Sequence, residues 1–198
     1  MSTVLKSKLP TLVNAVVPLV QDEVKYVRAN ALNCLSQLST DFAHSLQSDL
    51  HAIVLPPVIL ALRDNVPHVA GCAARCLDAF FDSVVDDDDD EPDCGAPFVT
   101  YVAQICQDCV ALLKMTSLNF VREATLGALS SLTSTCKALL SPYVDELVPI
   151  YQQVLSMPDT PELAEIQCKA IECVTLLACG VGKDRFAPYA KSVCDYLS

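Results

Sequence analysis

The chain has 198 residues, 52% of them hydrophobic, with 11 cysteines and a formal net charge of −11. That is enough apolar material for a substantial core. The acid excess excludes a phosphate-neutralising nucleic-acid binder or an anionic-lipid binder, and makes basic protein partners the natural expectation.

Seven acids and no base lie between Asp86 and Asp93, so the rest of the chain carries only −4. The opening MSTVLKSKLP lacks the apolar core and cleavage site of a signal peptide, and no stretch of about 18 apolar residues runs without a charge. The cysteines sit inside apolar stretches such as ALNCLSQL, AARCLDAF and IECVTLLAC. Buried, reduced thiols in a soluble intracellular protein are the expectation.

Apolar residues recur at i, i+3, i+4 and i+7 almost throughout, while alternating β-branched runs are few and there are five glycines. The pattern predicts an all-α chain, with helices over 5–20, 24–43, 49–62, 66–84, 97–114, 118–139, 142–155 and 161–179 and a last one from 187. The second member of each successive pair carries one register. Val27-Arg28, Ala31-Leu32 and Leu35 are echoed by Val69-Ala70, Ala73-Ala74 and Leu77. The same pattern returns as Val121-Arg122, Thr125-Leu126 and Leu129, and as Ile166-Gln167, Ala170-Ile171 and Val174.

The anchors at 27, 69, 121 and 166 are 42, 52 and 45 residues apart, against periods of roughly 40–47 for HEAT and armadillo helix pairs. The expectation is an α-solenoid of about four HEAT repeats, over about 4–45, 48–85, 97–140 and 142–184, with the start of a further repeat at 187–198. Ala31, Ala73, Thr125 and Ala170 would let paired helices approach, and Leu35, Leu77, Leu129 and Val174 would fill the layer between pairs. Pro10 and Pro149 both stand 17 residues before an anchor. They either bend the first helix of a pair or occupy its opening turn. The final helix has no following partner, as expected of a segment cut from a longer solenoid.

The long spacing contains the acidic run Asp86, Asp87, Asp88, Asp89, Asp90 and Glu91, read as an inserted loop over 86–95. It is either a solvated loop or an electrostatic contact for a basic partner. Gly180-Val181-Gly182-Lys183 lacks the spacing and the hydroxyl of a phosphate loop and follows a helix, so Gly180 or Gly182 reads as a helix C-cap. Cys106 and Cys109 form a CxxC without the second ligand pair of a zinc site, and Cys72 and Cys76 lie one helical turn apart; all four read as core cysteines. His44, His51 and His68 are scattered. No catalytic constellation, metal site or cofactor site is expected.

Positions six, nine, ten and thirteen after each anchor fall opposite the buried stripe. They give Asn33, Ser36 and Gln37; Arg75, Asp78 and Asp82; Ser130 and Ser134; and Glu172 and Thr175. These would line a concave wall, either as an ordinary solvated face or as acids and amides that hold a lysine-rich segment.

The stretches VRANALNCLSQLSTDFA (27–43), LSPYVDELVPIYQQVL (140–155) and KAIECVTLLACGVGKDRF (169–186) resemble the middle HEAT repeats of importin-beta family karyopherins, especially the beta-three branch. The resemblance covers about 27–186 and is loosest through the second pair and the acidic run. It implies a nuclear transport receptor that shuttles between cytoplasm and nucleus. Such receptors bind cargo with basic localisation signals on the wall of second helices, release it to the GTP-bound GTPase Ran, and touch pore phenylalanine-glycine repeats on the convex side. Ran contacts lie largely in the family's N-terminal repeats, which favours cargo for this segment. In some relatives an acidic loop contacts Ran or basic cargo from within a repeat, whereas this one falls between repeats. Two other readings remain at this stage. One is a HEAT scaffold of a phosphatase, translation or chromosome complex; the other is a thiol enzyme, which would need an activated thiolate.

Overall fold

The computed structural model describes residues 3–84 and 96–197. The acidic run Asp86, Asp87, Asp88, Asp89, Asp90 and Glu91 lies outside the described residues. No strand occurs among the described residues, as expected for a chain patterned at helical period. The α-helices are α1 (Thr3–Val16), α2 (Lys25–Asp41), α3 (Ser45–Asp49), α4 (His51–Ala61), α5 (Pro67–Asp82), α6 (Val99–Met115), α7 (Asn119–Cys136), α8 (Val144–Leu155), α9 (Pro161–Val181) and α10 (Lys183–Leu197).

The anchor register explains how they stack. Helices α2, α5, α7 and α9 pack on one another in that order, and α4, α6, α8 and α10 form a second layer in the same order, each of α4, α6 and α8 also packing on its own partner. Val69, Val121 and Ile166 are buried, as are Ala31, Ala73, Thr125 and Ala170 and the layer-filling Leu35, Leu77, Leu129 and Val174. The first anchor, Val27, is half-buried. Small residues at the crossings bring the second helices close, and each buried leucine contributes about 1.5–3 kcal/mol of burial. This is the expected α-solenoid of helix pairs.

Arg28 serves the stack rather than the surface. Its Nε and Nη2 bond Asp64 Oδ2 and Oδ1 at 2.7 and 2.9 Å, and its Nη1 donates to the carbonyl of Asp22 at 3.0 Å. The planar guanidinium thus ties α2 to the turn before α5. Between the next pairs, Arg63 Nε meets the buried Asp108 at 2.8 Å. The helical run Ala96–Met115, a 3-10 turn followed by α6, is long and apolar enough to resemble a membrane span, but Val102, Ile105, Cys106, Cys109 and Val110 are buried in the core.

Four boundaries differ from the sequence reading. His44 takes φ 66°, which detaches α3 from α2, and the buried Gln47 Nε2 then donates to the carbonyls of Ser39 and Phe80, both at 3.2 Å. Helix α1 gives way to a 3-10 turn at Val17–Gln21 that contains Pro18. Helix α7 stops at Cys136, Lys137 turns to φ 40°, and a 3-10 stretch runs to Tyr143. Pro142 there has no N–H and disfavours helix at Ser141. The last helix begins at Lys183, not 187, because Gly182 at φ 82° caps α9 and its carbonyl accepts from Phe186 N–H at once. Pro10 and Pro149 fall inside α1 and α8, past the opening turn.

Candidate functional site: a charged groove across the second helices

Three adjacent second helices, α5, α7 and α9, present one ridge of side chains each to the same depression. It encloses about 200 Å³ and is lined by Arg75, Asp78, Phe120, Glu123, Ala124, Gly127 and Lys169. Gly127 is what lets α5 and α7 close over it. An added Cβ there would lie 2.8 Å from Asp78 Oδ2, so the carboxylate rests on bare α7 backbone. Ser131, one turn on, donates to Asp78 Oδ1 at 2.5 Å.

The charges are partly spent on one another. Lys169 Nζ contacts Glu172 Oε2 at 2.9 Å, and the buried Ser130 hydroxyl donates to Glu172 Oε1 at 2.7 Å. Arg75 lies exposed and donates to Cys72 Sγ at 3.3 Å. Burial pushes the Asp78 carboxyl above its ordinary range, against the Ser131 hydrogen bond and the Lys169 charge, with Asp82 and Glu172 adding repulsion. Glu172 also feels burial, but Lys169 and Ser130 outweigh it and hold its pKa below the ordinary range. Burial is thus the dominant influence on Asp78, whereas Glu172 is held by Lys169 and Ser130.

Of the residues expected on the wall, Arg75 and Asp78 line this groove and Glu172 stands at its edge through Lys169. Asp82 is exposed at the end of α5 and acts on Asp78 through its charge. Ser130 is a correction: it is 3% exposed, so it positions Glu172 from within rather than facing a ligand. Asn33 and Gln37 are exposed on α2, outside the groove, and Gln37 Nε2 donates to Asp41. Phe120, Glu123, Gly127, Ser131 and Lys169 were missed. Gly127 and Ser131 occupy positions six and ten after their anchor, so the same register rule finds them. Glu123 and Lys169 stand two and three after theirs, where no position was read as wall.

The first-helix layer carries a different depression of about 280 Å³ between α4 and α6, lined by Pro56, Ile59, Leu60 and Tyr101, with Arg63, Gln104 and Asp108 along it. Leu60 beside it is 54% exposed.

The cysteines divide. Cys72, Cys76, Cys106, Cys109, Cys136 and Cys173 are buried, but Cys168, Cys179 and Cys194 are exposed, which corrects the expectation that all are core residues; Cys94 lies outside the described residues. Burial pushes Cys76 and Cys106 up to about 12 and Cys109 well above the ordinary thiol value, so the CxxC is not an activated thiolate pair. No group of three or more metal-ligating side chains occurs among the described residues.

Two paired layers repeating along the chain define the class, and residues 12–42 match the HEAT repeat family: this is a HEAT-repeat α-solenoid. Within that class it is similar to the importin-beta karyopherins. It is 26% identical over 194 residues to importin subunit beta-3 of Saccharomyces cerevisiae, covering 98% of this chain and 17% of that protein. Crystal structures of Kap121p bound to Pho4p and bound to Nup53p superpose with TM-score 0.82 at 26% identity, over 98% of this chain and 18% of theirs. Kap121p bound to RanGTP gives 0.78 at 26% identity, with the same coverage. The chain thus spans under a fifth of these relatives' length.

Proposed function

We propose that this chain is the central cargo-binding part of a nuclear import receptor, with HEAT repeats over about 4–45, 48–85, 97–140 and 142–184. In this reading it holds basic localisation segments on its second-helix layer, while Ran regulates release in the whole receptor and the receptor shuttles between cytoplasm and nucleus. The observation that carries the reading is the groove across α5, α7 and α9, where the acids Asp78 and Glu123 line one depression beside an exposed aromatic ring. An ammonium suits that carboxylate, and its aliphatic stem suits Phe120, which is 43% exposed. The binding of relatives to Pho4p, Nup53p and RanGTP supports a receptor. On the other layer, the apolar depression at Ile59, Leu60 and Tyr101 suits the phenylalanine side chains of pore repeats.

A fluorescein-labelled lysine-rich peptide tests the reading by anisotropy. The wild-type chain binds it and weakens as salt rises, and Asp78→Asn with Glu123→Gln reduces binding several-fold. Equal binding by wild type and the double variant would remove the groove from the account. In a receptor of which this chain is a part, GTP-loaded Ran should release the peptide and GDP-loaded Ran should not.

A further inference from the structure

The groove already contains an ammonium of its own. Lys169 lines it, its Nζ sits 2.9 Å from Glu172 Oε2, and its charge reaches Asp78 on the far helix. The Ser130 hydroxyl, donated from inside the stack, fixes the other oxygen of Glu172 so that Oε2 faces Lys169. The tethered side chain thus makes the contact that an incoming lysine would make.

We propose that Lys169 is a built-in competitor for the groove: an incoming ligand ammonium must displace it from Glu172, so Lys169 sets the threshold that separates lysine-rich segments from proteins with isolated lysines. This deepens the cargo reading above and rests on it. The physical basis is the weakness of the pair. Lys169 and Glu172 are one turn apart on α9, with side chains 41% and 44% exposed, and such pairs hold at most weakly against solvent. A tethered competitor of that strength cannot close the groove. It subtracts a fixed amount from every ligand, which a single lysine fails to recover and several clustered lysines do recover through their combined contacts.

Two features make the role specific to Lys169. Arg75, the other cation of the groove, donates to Cys72 Sγ and has no ion pair with a described carboxylate, so it repels a basic ligand without occupying its seat. Lys169 instead occupies an acceptor. Removing its charge while keeping its stem vacates Glu172 and takes one cation out of the groove, and both changes favour a basic ligand.

The test uses the full chain, the labelled lysine-rich peptide and a version of it with one lysine kept. Lys169→Met should bind the lysine-rich peptide about two- to fivefold more tightly than wild type, the range that loss of an exposed pair allows. It should tighten the single-lysine peptide by a similar factor, lifting it above the threshold that wild type sets. In a Glu172→Gln background the gain from Lys169→Met should shrink, because the seat it vacates is no longer charged. Thermal unfolding should shift little, since the pair is exposed. Wild-type binding with no tightening in Lys169→Met, or with weaker binding, would overturn the competitor while leaving the cargo reading intact. No peptide binding by wild type, Lys169→Met or any other variant would overturn both. A gain that persists undiminished in Glu172→Gln would overturn the displacement from Glu172.

Discussion

The two helix layers are built from the same repeat but solve different problems. In the second-helix layer, small residues bring α2, α5, α7 and α9 close, and polar groups cross between helices: Ser131 to Asp78, Ser130 to Glu172, and Thr135 to the carbonyl of Phe81 at 3.0 Å. In the first-helix layer, Pro10, Pro56, Pro57, Pro149 and Pro188 all fall inside helices, and apolar side chains such as Ile53, Leu60 and Val99 remain exposed. A tightly stacked layer holds charges in fixed relation over three repeats, which recognition of an extended charged segment requires. A looser layer with apolar depressions suits brief contacts with single side chains.

The largest expected effect breaks the stacked layer itself. Leu129→Ala removes a side chain with no solvent exposure between α5, α7 and α9 and should cost about 2–5 kcal/mol in urea unfolding. Leu60→Ala, in the other layer and 54% exposed, should stay within about 0.5 kcal/mol. Similar losses at both positions would erase the distinction between the layers.

The next effect is on binding without unfolding. Gly127→Ala places a Cβ against Asp78, so the carboxylate must leave its seat and the Ser131 hydrogen bond loosens. Lysine-rich peptide affinity should fall severalfold. The thermal midpoint should move less than in Leu129→Ala, because alanine's better helix propensity, worth about 1 kcal/mol, offsets part of the strain.

A smaller effect follows pH. The folded state holds the Asp78 proton more tightly than the unfolded state does, mainly through burial. As pH rises from the ordinary aspartate value through the folded value, the folded state binds more protons, so stability falls over that window. Asp78→Asn should remove that fall and raise the urea midpoint on its neutral side, with no pH-linked gain below it. Glu172 has the opposite sign: its folded value is lowered, so its contribution is present above the ordinary glutamate value and fades as pH falls through the folded one.

The smallest perturbation is chemical. Cys168, Cys179 and Cys194 should react with a thiol reagent in the native state, whereas Cys76 and Cys106, held up to about 12 by burial, should wait for denaturant. Fast native reaction of the buried pair would contradict the packing of α5 and α6.

Much of the fold was legible because helical periodicity is local. The anchors at 27, 69 and 121 each stand third in a second helix and 166 stands sixth in α9, and the residues four and eight positions on are all buried. What escaped depends on backbone conformations that no periodicity signals: φ 66° at His44 and φ 40° at Lys137. The groove was half legible. Arg75, Asp78 and Glu172 follow from their place in the register, but a carboxylate resting on a glycine of the neighbouring helix is a tertiary event. Lys169 escaped because it stands three after its anchor, where no position was read as wall, and only the stack reveals that it lines a groove with Asp78 and Glu123. Ser130 misled because the stripe is wider on α7, where Leu126, Ala128, Leu129, Ser130 and Leu132 are all buried and helices pack on both sides.

The most direct test of the central claim asks which surface a basic segment touches. A lysine-rich peptide with a photoreactive group, bound to the chain at low salt and crosslinked, should leave adducts on α5, α7 and α9 around Asp78, Phe120 and Lys169, and these should vanish in Asp78→Asn/Glu123→Gln. Adducts on α4 and α6 around Leu60 and Tyr101, or only within Asp86 to Glu91, would contradict it.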